Sequence, residues 1–182
     1  MFARPQRNLA LSVVLLVAAV ALARRLDDEQ QWVLSALGLG VVLAVGLLGR
    51  PYFQARDLMR QKDWERAATA MAGFEHQQTT SAWRRRLAFL YVGFHSYDGV
   101  AVARNNLGAI RLEQQRLDDA QRHFERALES DPGYAMPWAN LAVVAAKRHD
   151  RAECTRCRDR ARALGFRRRG FDAMLTDLLA SP

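Results

Sequence analysis

The feature that most constrains this chain is an internal repeat with a period of 34 residues. A unit that begins at Ala101 aligns without a gap to a unit that begins at Ala135. In this alignment Gly108 of the first unit corresponds to Ala142 of the second. A fixed period of this length indicates small units that stack, because each unit buries its apolar face only against its neighbours.

The repeat units are predicted to be helical. After Gly49, apolar residues recur at spacings of three and four, and no stretch alternates as a strand does. Turn signals such as Asp131-Pro132-Gly133 separate the periodic segments. The predicted helices are 51–61, 64–76, 81–95, 100–115, 118–130, 135–148, 151–164 and 170–180.

Small residues recur where the two helices of each unit are expected to cross. Gly108 pairs with Ala120 in the first unit, and Ala142 pairs with Cys154 in the second. Such residues let two helices approach closely, and Phe124 then fills the space between neighbouring units.

The first unit carries a characteristic set of residues: Leu107, Gly108, Ala120, Phe124, Ala127 and Pro132. The second unit matches it at Trp138, Leu141, Ala142 and Ala161. Together they resemble the tetratricopeptide-repeat (TPR) family. The family usually has aromatic residues where Arg104 and Arg111 stand here. The resemblance implies TPR repeats at 101–134 and 135–168 within a region 99–182 that ends in a capping helix, preceded by a degenerate helical hairpin plus an extra helix at 51–98.

Two long apolar stretches precede the repeats. Apart from one serine each, residues 9–23 and 32–49 are apolar throughout. At ~1.5 Å per helical residue the second stretch spans about 26 Å, close to the ~30 Å core of a bilayer. We predict a membrane anchor over residues 1–50 with two transmembrane helices, at about 8–24 and 32–49. Basic residues and a small-residue end also make the first stretch a candidate cleavable signal.

Basic residues beside the apolar stretches predict the orientation of the chain. They comprise Arg4 and Arg7 before the first stretch and Arg50, Arg56, Arg60 and Lys62 after the second. The loop between the stretches has two arginines diluted by three acidic residues. Because basic flanks favour the cytoplasmic side, we predict a multi-pass protein of the cytoplasmic membrane with a cytoplasmic TPR domain. The fold class is thus all-α, a transmembrane helical hairpin followed by a short TPR-type α-solenoid.

The resemblance implies a peptide-binding groove lined by the first helix of each pair. The groove residues singled out are Asn105, Asn106, Ala109, Leu112, Asn140, Val143 and Lys147. Asn106 and Asn140 share one repeat position, similar to the asparagine ladder in the TPR part of O-GlcNAc transferase, and each amide matches one peptide unit. The alternative is that these amides bond to their own neighbours. The mostly apolar lining favours a partner helix or an apolar peptide.

A basic patch lies near the end of the chain: Arg151, Arg156, Arg158, Arg160, Arg162, Arg167, Arg168 and Arg169. It accounts for most of the net charge of +8. Three interpretations stay open, namely a solvated face, a contact with anionic lipid or an acidic protein, and nucleic-acid binding. Nucleic acid is least favoured, because no aromatic residues interleave with the arginines.

Chemistry at the remaining polar residues is not expected. Cys154 and Cys157 have CxxC spacing, but a redox site needs a strand-to-helix context and a zinc site needs two further ligands. The four histidines are scattered and no glycine-rich phosphate loop is present. We predict no enzyme activity, no metal and no cofactor.

The predicted function is that of a protein-protein interaction adaptor or scaffold at the membrane. The alternative is a permanent structural subunit of a larger membrane complex.

Within the domain, residues 81–95 are expected to form a buried bridging helix, with a helix in the membrane interface as the alternative.

Overall fold

The computed structural model describes residues 28–88, 96 and 98–181, and these residues form helices joined by short turns. The helices are α1 (Asp28–Arg60), α2 (Trp64–Thr80), α3 (Ala82–Leu87), α4 (Gly99–Glu113), α5 (Leu117–Ser130), α6 (Ala135–Lys147), α7 (Arg151–Ala163) and α8 (Phe171–Ala180). Among the described residues there is no strand, as predicted. The predicted first apolar helix, 8–24, lies outside the described residues.

α1 differs from the sequence expectation. Separate helices at 32–49 and 51–61 were expected, but one helix runs through both, with Pro51 inside it. Proline removes one backbone hydrogen bond and usually kinks or ends a helix. Here Tyr52 and Ala55 are buried in the core directly after it, and this packing holds the chain helical.

α1 and α2 form an antiparallel hairpin. The Asp63 side chain caps α2 by accepting from the backbone N–H of Arg66 at 3.2 Å. The ring centroids of Tyr52 and Phe74 lie 5.4 Å apart, so the last part of α1 packs along α2. The core of this hairpin also contains Ala55 and Met71, both fully buried.

The helix pairs α4–α5 and α6–α7 are equivalent hairpins. Their turns place Gln115 and His149, which are 34 residues apart, in the left-handed region at φ values of 60° and 58°. The next N–H in each turn, of Arg116 and of Asp150, donates to the carbonyl five residues earlier at 2.9 Å. The α1–α2 turn has the same geometry at Lys62.

Two segments depart from the predicted boundaries. The prediction of a turn at residues 77–80 is wrong, because α2 continues to Thr80 and buries Gln78. Of the helix expected at 81–95, the structure describes residues 81–88. α3 contains no buried residue, so the expectation of a buried helix is wrong for α3, and burial begins at Ala88 directly after it. Residues 89–95 lie outside the described part.

α8 closes the array by packing on α6. Phe171 and Leu175 are buried in the same cluster as Ala142 and Val144 of α6. Gly170, at φ 74°, turns the chain into α8 through a conformation that a side chain disfavours. The predicted capping helix thus corresponds to α8.

The close crossing of α4 and α5 at Gly108 leads to a stability prediction. A Cβ on Gly108 would lie 2.5 Å from Cε1 of Phe124, whereas a Cβ on Gly73 of α2 would meet nothing within 4 Å. Gly108→Ala should lower the free energy of unfolding by about 1–3 kcal/mol, because the ring has no room to yield. Gly73→Ala should raise it by about 0.5–1 kcal/mol through better helix propensity.

Thermal unfolding in detergent, followed by circular dichroism, measures both substitutions. Shifts of the same sign for the two variants would contradict the close crossing of α4 and α5.

Candidate functional site

The predicted groove residues lie on α4 and α6, the first helices of the two regular pairs. Ala109, Leu112 and Val143 are half-buried, and Leu112 and Val143 pack against the core cluster around α6. Asn106 is also half-buried. The surface between α4 and α6 is therefore largely apolar, with amide groups toward its centre.

Asn105 and Asn140 form the polar link between the two repeats. The Nδ2 of Asn140 donates to the Oδ1 of Asn105 at 2.9 Å, and Asn105 is only 4% exposed. Asn140 thus bonds to Asn105 and not to Asn106, which holds the same repeat position in the first unit. Asn106 itself makes no side-chain hydrogen bond within the described residues, so its whole amide is unengaged there.

Lys147 stands at the far end of the same surface. Its Nζ donates to Oε1 of Gln115 at 3.2 Å, which joins the end of α6 to the turn after α4. Because glutamine is neutral, Lys147 keeps its positive charge, and this end of the groove is basic.

Arg104 holds the first hairpin to the regular repeats, a role that the sequence analysis missed. Its Nε donates to Oε1 of Glu75 on α2 at 2.7 Å, and its Nη1 donates to Oγ of Ser130 on α5 at 2.9 Å. Both charged side chains are 24% exposed, so the pair is shielded from much of the solvent. The replacement of the usual aromatic residue was the only sequence signal of this link.

The structure divides the basic patch into paired and unpaired arginines. Arg156 pairs with Glu153 and lies 5.5 Å from the ring centroid of Trp138, and its hydrogen bond lowers the pKa of the Glu153 carboxyl. Arg158 pairs with Asp159, and Arg162 with Asp172. Arg167 donates to the backbone carbonyls of Arg162 and Phe166.

The side chains of four arginines of the patch make no hydrogen bond or ion pair within the described part of the chain: Arg151, Arg160, Arg168 and Arg169. Arg168 and Arg169 lie in the connection between α7 and α8. With Arg162 and Arg167 they line an open depression of about 580 Å³. Free positive charge is therefore concentrated at this connection.

Cys154 and Cys157 are buried and unpaired with each other. Burial raises the pKa of both thiols, that of Cys157 to about 12, and the Cys157 thiol also donates to Oε1 of Glu153 at 3.2 Å. A protonated, buried thiol is a poor nucleophile and a poor metal ligand. Among the described residues no group of three or more His, Cys, Asp or Glu side chains could hold a metal ion.

α1 contains the one described segment that is long and apolar enough to cross a membrane, Trp32–Arg60. Its large apolar side chains are exposed: Trp32, Val33, Leu34, Leu37, Leu39, Val42, Leu43 and Leu47. Core helices of soluble proteins and signal sequences satisfy the same test of length and composition. One such helix does not support the multi-pass topology.

The buried cysteines generate a reactivity prediction. Iodoacetamide at pH 8 should modify Cys154 and Cys157 in the native protein about tenfold or more slowly than in guanidinium, because both thiols are buried and protonated. Mass spectrometry at timed intervals measures the two rates. A native rate equal to the unfolded rate would contradict the packing role.

Comparison with known proteins gives a family match for one of the two regular helix pairs. Residues 101–134, which contain α4 and α5, match the family model described as tetratricopeptide repeat. A search of curated proteins found no match to the chain. The match agrees with the hairpin geometry of α4 and α5, and it supports a tetratricopeptide repeat at residues 101–134.

Proposed function

We propose that this protein is a membrane-anchored interaction module whose TPR domain binds a protein partner on the cytoplasmic side of the membrane. The observation that carries the proposal is the division of α1. Its first half exposes large apolar side chains, whereas Tyr52, Ala55 and Leu58 of its second half are buried in the domain core.

The exposed half of α1 supports the anchor. Leu47 is 71% exposed although it lies only five residues before the buried Tyr52. Transfer of each such side chain out of water contributes about 1.5–3 kcal/mol. Since the exposed residues surround the helix, a lipid environment covers them better than one flat protein surface would.

The groove between α4 and α6 supports a protein partner. TPR repeats are generally non-catalytic interaction modules, and this surface combines half-buried Leu112 and Val143 with the unengaged amide of Asn106. Apolar anchors beside one backbone-matching amide suit an amphipathic helix or an apolar peptide.

The cytoplasmic side is inferred from the residues that follow the apolar half of α1. They include Arg50, Arg56, Arg60 and Lys62, and Arg50, Arg56 and Arg60 are exposed. Basic residues close to a span are retained on the cytoplasmic side.

Membrane fractionation tests the anchor. The full chain should stay in the membrane pellet after a carbonate wash, and Leu39→Arg with Leu43→Arg should shift it out, because each arginine costs about 2.5–3.5 kcal/mol at the centre of a span. Ala152→Arg with Ala163→Arg, at exposed sites on α7, is the matched control. Recovery of the unsubstituted chain in the aqueous fraction would contradict the anchor.

Affinity capture from detergent extract tests the groove. Leu112→Glu with Val143→Glu should reduce recovery of the partner about tenfold or more, because a charge would be placed in the apolar contact. Ala152→Glu with Ala163→Glu adds the same charge to α7 and should leave recovery unchanged. Asn106→Ala provides a milder test, since this substitution disturbs no described hydrogen bond.

Circular dichroism of each variant separates loss of binding from loss of folding. Partner recovery that is unaffected by all groove substitutions in folded protein would contradict groove binding. Such a result would favour the alternative function, a permanent structural subunit held by other surfaces.

A further inference from the structure

We propose that one end of the TPR domain is a membrane-contacting surface, formed by α3 and the α7–α8 connection, that binds anionic lipid head groups. The proposal rests on the membrane anchor proposed above. It adds which end of the domain meets the bilayer and what chemistry this end offers.

α3 lies close to the anchor. Because α1 and α2 are antiparallel and Tyr52 lies beside Phe74, the end of α2 at Thr80 lies level with about residue 46 of α1. Val45 and Leu48 pack against the domain core, whereas Leu47 is exposed. The chain therefore enters α3 at the level where the apolar half of α1 leaves the domain.

The start of α4 lies at the same end as α3. Arg85 of α3 pairs with Asp98, which caps α4 through the backbone N–H groups of Val100 and Ala101. Gly99 of α4 packs closely against Gln78 of α2.

Each of the two regular hairpins returns the chain to this end. α5 returns antiparallel to α4, and Ser96 before α4 donates to Asp131 after α5 at 2.7 Å. α7 likewise returns along α6, with Arg156 over the ring of Trp138. The α7–α8 connection therefore lies at the end that contains α3. At the opposite end of the domain, Nδ1 of His149, in the turn between α6 and α7, lies 3.5 Å from the carbonyl oxygen of Leu179 near the C-terminal end of α8.

The charges at the two ends of the domain differ. At the α3 end, Arg86, Arg168 and Arg169 are exposed and have no side-chain partner within the described residues. Trp83 beside them is 52% exposed, with Arg84 5.1 Å from its ring centroid. The opposite end carries both signs, because Asp63, Glu65, Asp118, Asp119, Asp150 and Glu153 lie in or beside the same turns as Arg60, Lys62, Arg66, Arg116, Arg148 and Arg151. Its charges therefore largely balance.

These features favour lipid over nucleic acid. Exposed tryptophan and unpaired arginine side chains lie preferentially at the head-group level of an anionic membrane. Phe166 and Phe171, near Arg168, pack on each other at 4.8 Å, which leaves Trp83 as the exposed ring described at this surface, with Arg84 already over it. One ring does not provide the series of stacking platforms that successive bases require. Since α1 is continuous, the domain has no linker that would let this end turn away from the bilayer.

The test uses the full chain in vesicles of phosphatidylcholine with or without phosphatidylglycerol. Nitroxides are attached to cysteines introduced singly at Leu39, Ala82, Ala163 and Ala152. The unsubstituted protein, with buried Cys154 and Cys157, sets the labelling background. Collision with a water-soluble nickel chelate, measured by electron paramagnetic resonance, reports exposure to water. Ala82 and Ala163 belong to the proposed surface, and Ala152 belongs to the opposite end.

In anionic vesicles, nitroxides at Ala82 and Ala163 should collide with the chelate several-fold less often than one at Ala152. Arg168→Glu with Arg169→Glu should return Ala163 to the Ala152 level. Arg66→Glu with Arg151→Glu, the same charge change at exposed sites of the opposite end, should leave the protection intact. Protection should also weaken in vesicles without phosphatidylglycerol.

The probe at Leu39 separates the two proposals. If Leu39 is in lipid while Ala82 and Ala163 collide as often as Ala152, the lipid-contacting end is overturned and the anchor stands. If Leu39 is in water, both proposals fail. Protection that is equal in both vesicle types, or that nuclease treatment abolishes, would overturn binding of anionic lipid.

Discussion

The architecture depends on one helix whose surroundings change partway along its length. α1 exposes apolar side chains up to Leu47 and then packs Tyr52 against Phe74 of α2. Pro51 lies at this change and cannot donate a backbone hydrogen bond, yet the helix continues because the residues that follow are fixed in the core. A helix that is shared in this way couples the direction of the apolar segment to the position of every later hairpin.

Arginine serves several different purposes in this small domain. Arg104 joins three helices, Arg167 satisfies carbonyls at the end of α7, and Arg156 covers the ring of Trp138. Arg168 and Arg169, adjacent in sequence to Arg167, make no such contact within the described residues. Composition groups all of these arginines except Arg104 into one patch, and only their partners distinguish structural arginines from those available to a ligand.

Sequence reasoning predicted the regular hairpins well because their signals are local and repeated. Gly108 and Phe124 set the crossing of α4 and α5, and the equivalent turns recur after 34 residues. The continuity of α1 was missed because Pro51 is a local stop signal that tertiary packing overrides. The Asn105–Asn140 bond was missed because it depends on how two helices rotate against each other, which residue spacing alone does not specify.

Each hairpin consists of two helices, so every unit returns the chain to the side from which it started. α3 is too short to carry the chain across, and the contact of Arg85 with Asp98 shows that α4 starts on that same side. An insertion of whole hairpins would therefore lengthen the array sideways and keep its polarity. Insertion of one additional full-length helix would invert every element after it, so growth of this domain is restricted to even numbers of helices.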